Sequence, residues 1–317
     1  MTDPTPLFSL FGISLYPFGL CVALGALAAA ALLCLSYGRA GWPTGEALRF
    51  ALLCLPCAYL GARLGYCAVR SGFLFVDFGA SFLWRVELGG FSLAGASLGL
   101  LLAAWVFARR ANRPFARALD LAMPAALLAL ACERVAERFT LAGLGDYVDD
   151  ALWQRFPFAV PDVYGDWRLP VFAWEALAAL ALCLLAFVGL RRARRDGDAA
   201  LWNMALLGAT QILLESLRRD DFLRFGFVRV NQLWGVALLL MAALRWLARA
   251  KLSRPRRCAA LLGYAAGVGA LVLVEFALDK SPIGNGWLYA AMALALAAMV
   301  VGAARLRALS ERRGMHA

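Results

Sequence analysis

Apolar positions along this chain run in long blocks, broken by short polar stretches, rather than alternating. Uncharged or nearly uncharged segments recur at about 14–35, 47–69, 87–108, 119–140, 171–190, 200–217, 230–248, 258–278 and 286–304. At helical rise each is long enough to cross a hydrocarbon layer ~30 Å thick. The pattern predicts nine helices, with 119–140 and 200–217 the least regular. The expected fold is all-α, a polytopic integral membrane helical bundle. No Lys or Arg precedes the first segment, which is too long for the apolar part of a signal peptide, so it is expected to be retained.

Composition agrees: 63% of residues are hydrophobic and the mean hydropathy is +0.70. The net charge of +11 is distributed by topology. Arg39, the Arg109–Arg117 and Arg191–Arg195 runs, the Arg245–Arg257 run and the Arg305–Arg313 tail all fall on one side. Arg70, Arg85, Arg155, Arg168, Arg218, Arg219, Arg224, Arg229 and Lys280 fall on the other. The first set is about twice as large, which by the positive-inside rule puts the N-terminus outside and the C-terminus in the cytoplasm. The basic runs are short and scattered between spans, so the charge points to anionic lipid and not to nucleic acid.

Where charge enters an apolar block it needs a reason. Ala131-Cys132-Glu133-Arg134-Val135-Ala136-Glu137-Arg138-Phe139 ends the fourth segment with four ionisable residues. Each costs roughly 2.5–3.5 kcal/mol near a bilayer centre, so they must face one another, water or a charged ligand. Arg134 and Glu137 are three apart and can pair directly. The longest connection, 142–170, is acidic (Asp146, Asp149, Asp150, Asp162, Asp166) and aromatic (Tyr147, Trp153, Phe156, Phe158, Tyr164, Trp167). It reads as an external cap with rings at headgroup level, either a docking lid or a passive interfacial loop. Eight cysteines lie almost all inside spans, and Cys54-Leu55-Pro56-Cys57 has redox spacing without the βαβ context of a redox motif. The single histidine, His316, sits in the C-terminal tail. No histidine base, triad or metal site is therefore expected in the membrane, and no cofactor.

Several short motifs recur in a telling order: Leu15-Tyr16-Pro17-Phe18-Gly19-Leu20, Gly61-Ala62-Arg63-Leu64-Gly65-Tyr66, and Gly89-Gly90-Phe91-Ser92 leading to Gly95 and Gly99. The Arg134 segment and Gly145 follow, then Leu169-Pro170 with Trp174-Glu175, Gln211 with Glu215 and Arg218, and Asn231-Gln232-Leu233. Across about residues 15–248 this order resembles the bacterial prolipoprotein diacylglyceryl transferase family, a seven-helix fold of the cytoplasmic (inner) membrane. The resemblance implies a transferase-like core at 1–250 carrying the 142–170 cap, and an appended two-helix hairpin and cytoplasmic tail at 251–317. It also implies transfer of the diacylglyceryl group of phosphatidylglycerol to the thiol of a prolipoprotein lipobox cysteine, releasing glycerol phosphate.

Arg63, Arg134 and Arg218 match family arginines, and guanidinium suits a phosphate clamp because its fork binds two oxygens and stays charged. Tyr16, Ser92, Gly95, Gly145, Glu175, Glu215 and Gln232 also fall on matching positions. In that picture Arg134, with Arg63 and Arg138 or Arg218, holds the phosphate, and the three motif arginines converge on one cavity. Glu137 or Glu133 takes the thiol proton, and Tyr16 and Ser92 orient the glycerol backbone. Blander roles stand beside these. Glu137 neutralises Arg134 or Arg138, Glu175 is an N-terminal helix acid, Glu215 pairs with Arg218, and Gly95 and Gly99 mark a close helix contact. The chain departs from the family at Ala94, where a histidine is expected, at Glu137 for an asparagine, at Ala142 for an acidic residue, at Gln211 for an arginine and at Leu169 for a histidine. Of these, Ala94 and Gln211 suit an alternative, a non-catalytic phospholipid-binding or accessory paralogue.

Overall fold

The computed structural model describes residues 6–10, 13–85, 89–140, 142–191, 195–220, 223–280 and 285–312. His316 and the basic residues Arg192, Arg194 and Arg313 lie outside them. The helices are α1 (Pro17–Arg39), α2 (Thr44–Phe78), α3 (Leu93–Arg110), α4 (Phe115–Ala136), α5 (Val171–Gly189), α6 (Asp198–Leu217), α7 (Val230–Arg249), α8 (Arg254–Lys280) and α9 (Asn285–Arg312). Among the described residues, strands are confined to three two-stranded antiparallel hairpins. In hydrocarbon every backbone polar group must be satisfied within the segment, and helix is the solution used throughout. Among the described residues eight helices are long and apolar enough to cross a membrane, so this is a multi-pass membrane protein. The exception is α6, whose apolar character is diluted by Asn203, Gln211 and Glu215.

Local chemistry moves three boundaries from their expected places. Helix α2 continues nine residues past its expected end because nothing breaks it before Gly79, which adopts φ +56° and opens a 3-10 turn. Helix α3 starts six residues late, since Gly89 and Gly90 hold positive φ and Ser92 then caps the helix by accepting the Gly95 N–H at 3.2 Å. Helix α4 starts directly after Pro114, and its last turn tightens to 3-10 over Glu137–Phe139.

Two compact units divide the chain: residues 1–200 with 218–223, and residues 201–217 with 224–317. In the first, α2 packs on α3, and α4 on α1 and α5. The α2–α3 contact is backbone on backbone. A Cβ on Gly95 would lie 2.2 Å from the Gly61 carbonyl oxygen, and one on Gly99 2.0 Å from that of Cys57. Phe50 stacks on Phe107 with centroids 4.8 Å apart in a core with Leu33, Tyr37 and Leu121. Buried Asp120 accepts the Gly197 and Ala200 N–H groups at 2.7 and 2.8 Å, satisfying donors at the start of α6.

The second unit surrounds Trp246, which is fully buried with Leu239, Ala242, Met292 and Met299. Helix α9 packs on both α7 and α8, so packing joins the C-terminal hairpin to α7, whereas sequence resemblance separates them near residue 250.

Candidate functional site

Four buried charges meet in the first unit. Arg134, at the end of α4, donates through Nη1 to Glu137 Oε1 at 2.5 Å, the expected i,i+3 pair. Arg218, just beyond α6, donates through Nη2 to the same oxygen at 3.2 Å and through Nη1 to Glu175 Oε2, in the second turn of α5, at 2.8 Å. Arg134, Glu137, Glu175 and Arg218 are each at most 6% exposed. A fifth group, Asp220, accepts Arg218 Nε on Oδ2 at 3.0 Å and stands 2.9 Å from Nη2 as an ion pair. The pairing follows from length and spacing. The tight turn after α4 swings Glu137 back over Arg134, and α5 lifts Glu175 to the same level.

Charge in the cluster is not balanced one to one. Two guanidinium groups face Glu137, Glu175 and Asp220, with the half-buried Glu133 3.5 Å from Arg134 Nε. Arg134 Nε also lies 3.5 Å from Glu175 Oε2, yet makes no hydrogen bond. Glu137 Oε2 is likewise buried without a hydrogen-bond partner. Arg134 Nε and Glu137 Oε2, a charged donor and a charged acceptor, thus lack hydrogen-bond partners inside a desolvated cluster. Orphaned buried polar atoms are costly, and they mark where another group is accommodated.

Gly143 closes this corner. It holds φ +75°, and a Cβ there would lie 2.4 Å from Glu137 Oε2 and 2.7 Å from Phe172 Cβ. From Gly143 the chain rises into the cap. Gly145 N–H donates to the Leu169 carbonyl at 2.8 Å and Leu169 N–H to the Asp146 carbonyl at 2.9 Å, so the cap is pinned at its root. Leu144, Val160 and Phe172 form a small core of its own. Its rings are exposed: Tyr147, Trp153, Phe156, Phe158 and Tyr164. Trp174, in the first turn of α5, donates Nε1–H to the Pro157 carbonyl at 3.0 Å, which holds the cap tip beside the start of a span.

The other expected residues are placed differently. Arg63 is 4% exposed, and its two Nη groups donate to backbone carbonyls, those of Gly89, Gly90 at 3.2 Å, Phe82 at 2.5 Å and Arg85 at 2.6 Å, while Nε is buried without a hydrogen-bond partner. It braces the turn between α2 and α3, so the shared cluster holds two of the three motif arginines. Arg138 points outward and Tyr16 is 41% exposed. Ser92 spends its hydroxyl on the α3 cap, Gly95 lies in the α2–α3 contact, and Gly145 uses both backbone groups in the cap root, its carbonyl accepting Arg168 Nε at 3.0 Å.

Glu215 and Gln232 belong to a separate polar group in the second unit. There Glu215 Oε2 accepts Gln211 Nε2 at 2.9 Å and Asn231 Nδ2 at 3.1 Å, and Arg229 Nη1 stands 3.6 Å from Oε1. Gln232 Oε1 accepts the Arg229 N–H at 2.9 Å. The i,i+3 spacing of Glu215 and Arg218 led to neither residue's observed ion pairs, because Arg218 lies past the helix end and turns to Glu137 and Glu175. Sequence reasoning missed Asp220 and Arg229. The only signal for Asp220 was the charge run Arg218-Arg219-Asp220 directly after a motif.

Residues 5–248 match the sequence profile of the prolipoprotein diacylglyceryl transferases. The chain belongs to that family. Similar proteins include the phosphatidylglycerol–prolipoprotein diacylglyceryl transferase of Clostridium kluyveri, 27% identical over 231 residues that cover 71% of this chain and 89% of the relative. The protein of the same name from Legionella pneumophila is 28% identical over 205 residues, covering 60% and 74%. That of Streptococcus equi subsp. equi is 25% identical over 239 residues, covering 74% and 91%. The prolipoprotein diacylglyceryl transferase match contains the whole Arg134–Arg218 cluster and the cap, and stops before α8 and α9.

Proposed function

We propose that this protein transfers the diacylglyceryl group of phosphatidylglycerol to the cysteine thiol of a prolipoprotein lipobox, in the bacterial cytoplasmic membrane, with its N-terminus outside and its C-terminus in the cytoplasm, a topology in which the 20-residue α6 makes a ninth crossing beside the eight more apolar helices. Family membership supports the reaction class. The observation that carries the site is the buried Arg134–Arg218 pair sharing one carboxylate oxygen, with the Arg134 Nε edge unbonded. A phosphate arriving at that edge meets a preorganised, desolvated donor and needs only to displace carboxylate contacts already stretched to 3.5 Å.

In the reaction the thiol S–H gives its proton to a carboxylate and the sulfur attacks the glycerol carbon bonded to the phosphate oxygen. A C–S bond forms as that C–O bond breaks, and the departing glycerol phosphate takes the electron pair as added negative charge. Arg134 and Arg218 stabilise that charge. Glu137, with Oε2 unbonded, takes the proton, and half-exposed Glu133 is the second candidate. Glu175 holds Arg218 from the α5 side. Arg63 fixes the neighbouring turn, and the cap admits the acceptor peptide.

Purified protein given labelled phosphatidylglycerol and a lipobox peptide tests this. Arg134→Lys keeps the charge but loses the fork, and is expected to slow transfer about 10²-fold. Glu137→Gln is expected to abolish transfer while labelled lipid still binds. Transfer by Arg134→Lys at the parent rate removes the clamp. A parent that binds lipid and modifies no thiol acceptor makes the protein the accessory lipid-binding paralogue that Ala94 and Gln211 suit.

A further inference from the structure

The segment after α6 addresses the site and the cap at once. Arg218 enters the charge cluster. Arg219 N–H donates to the Leu144 carbonyl at 2.9 Å, and its guanidinium makes a two-bond fork with Asp146 at 3.1 and 3.0 Å. Asp220 then turns back, and its Oδ2 accepts two donors, the Gly143 N–H at 2.9 Å and Arg218 Nε at 3.0 Å, with Arg218 Nη2 in ion-pair contact at 2.9 Å. Gly143 is the point where the cap touches the cluster, wedged against Glu137 and Phe172, with its own carbonyl accepting the Phe172 N–H at 2.8 Å.

We propose that Asp220 is a positioning residue that ties the root of the external cap to the Arg218 guanidinium, so that seating the cap and aiming Arg218 are one event. The proposal deepens the transferase reading and rests on it for its kinetic arm. Arg218 has three engaged nitrogens. Glu175 accepts from Nη1 and Glu137 from Nη2, while Asp220 accepts from Nε and stands 2.9 Å from Nη2, so its carboxylate covers the Nε edge of the guanidinium. Without Asp220 the guanidinium keeps its bonds to Glu175 and Glu137 but loses the carboxylate that fixes its Nε edge. The same loss removes the acceptor that fixes Gly143, whose geometry sets how closely the cap root presses on Glu137. A cap that lifts to admit a peptide breaks the Gly143–Asp220 bond and loosens Arg218. A cap that reseats restores the donor orientation before the leaving group departs. Binding of the acceptor and readiness of the clamp are then coupled through one carboxylate oxygen.

Two variants separate the two roles. Asp220→Asn keeps an oxygen for the Gly143 N–H but loses the charge that orients Arg218. Asp220→Ala loses both. Amide hydrogen exchange over residues 142–147 reads the cap root, and steady-state transfer from phosphatidylglycerol to a lipobox peptide reads the clamp. Asp220→Asn is expected to exchange like the parent and to lower kcat about tenfold at an unchanged peptide KM, the scale on which a misaimed positioning group slows catalysis. Asp220→Ala is expected to exchange at least about tenfold faster there and to change both kcat and KM. Parent-like exchange in Asp220→Ala overturns the tie to the cap. Parent-like kcat in Asp220→Asn overturns the aiming of Arg218. A parent protein that fails to turn over at all defeats the transferase reading, while the exchange measurement still decides whether Asp220 holds the cap.

Discussion

Gly143 shows how much one residue can be asked to do. It supplies a positive φ, stands flush against Glu137 Oε2 and Phe172, and uses its N–H on Asp220 and its carbonyl on Phe172. A methyl group there meets a carboxylate at 2.4 Å and must also adopt a left-handed backbone. Gly143→Ala is therefore expected to cost about 1–3 kcal/mol, read as a lowered Tm in detergent, together with lost transfer. A variant as stable and active as the parent would show that the corner yields easily. The Arg134–Glu137 pair was legible because both partners sit on one turn of one segment, where spacing alone decides contact. Glu175, Arg218 and Asp220 join them from 41 to 86 residues further along the chain, and no local pattern reports such meetings. The backbone partners of Arg63 were not legible for a related reason. A buried arginine in a membrane span needs anions or carbonyls, and sequence cannot say which will be nearby.

At the level of elements, the spans were legible because lipid admits few solutions: a block of about twenty apolar residues in hydrocarbon is a helix. Their ends were less so, since glycine φ values, a serine cap and a proline set them, each overriding the apolar pattern by several residues. The α2–α3 contact shows what small residues do when no hydrophobic drive separates helix from lipid. Gly61, Gly65, Gly95 and Gly99 bring two backbones together. Gly95→Ala is expected to lower Tm in lipid-free detergent by an amount matching about 1–3 kcal/mol. A ligand-contact role predicts instead an unchanged Tm without lipid and a smaller rise when phosphatidylglycerol is added. The two outcomes are cleanly separable.

For the whole molecule, the family match ends at residue 248 while packing continues: Met292, Leu296 and Met299 share one core with Leu239, Ala243 and Trp246. Helices apolar on every side carry no stripe to announce their neighbours, so the sequence marked where the hairpin begins and not what it leans on. Orientation is a property of the entire chain, and the basic loops set it by their sum. A reporter fused after Ala317 is expected to read cytoplasmic, and an external reading would reverse the side from which lipid and peptide reach Arg134. The order of synthesis adds a constraint that the finished fold conceals. The four carbonyls that hold Arg63 come from residues 19 to 27 positions later in the chain. When α2 first leaves the ribosome, its cation has no acceptor yet made and faces the membrane unshielded. Inserting α2 alone therefore carries the cost of one unmatched cation, which insertion together with the turn and the start of α3 removes.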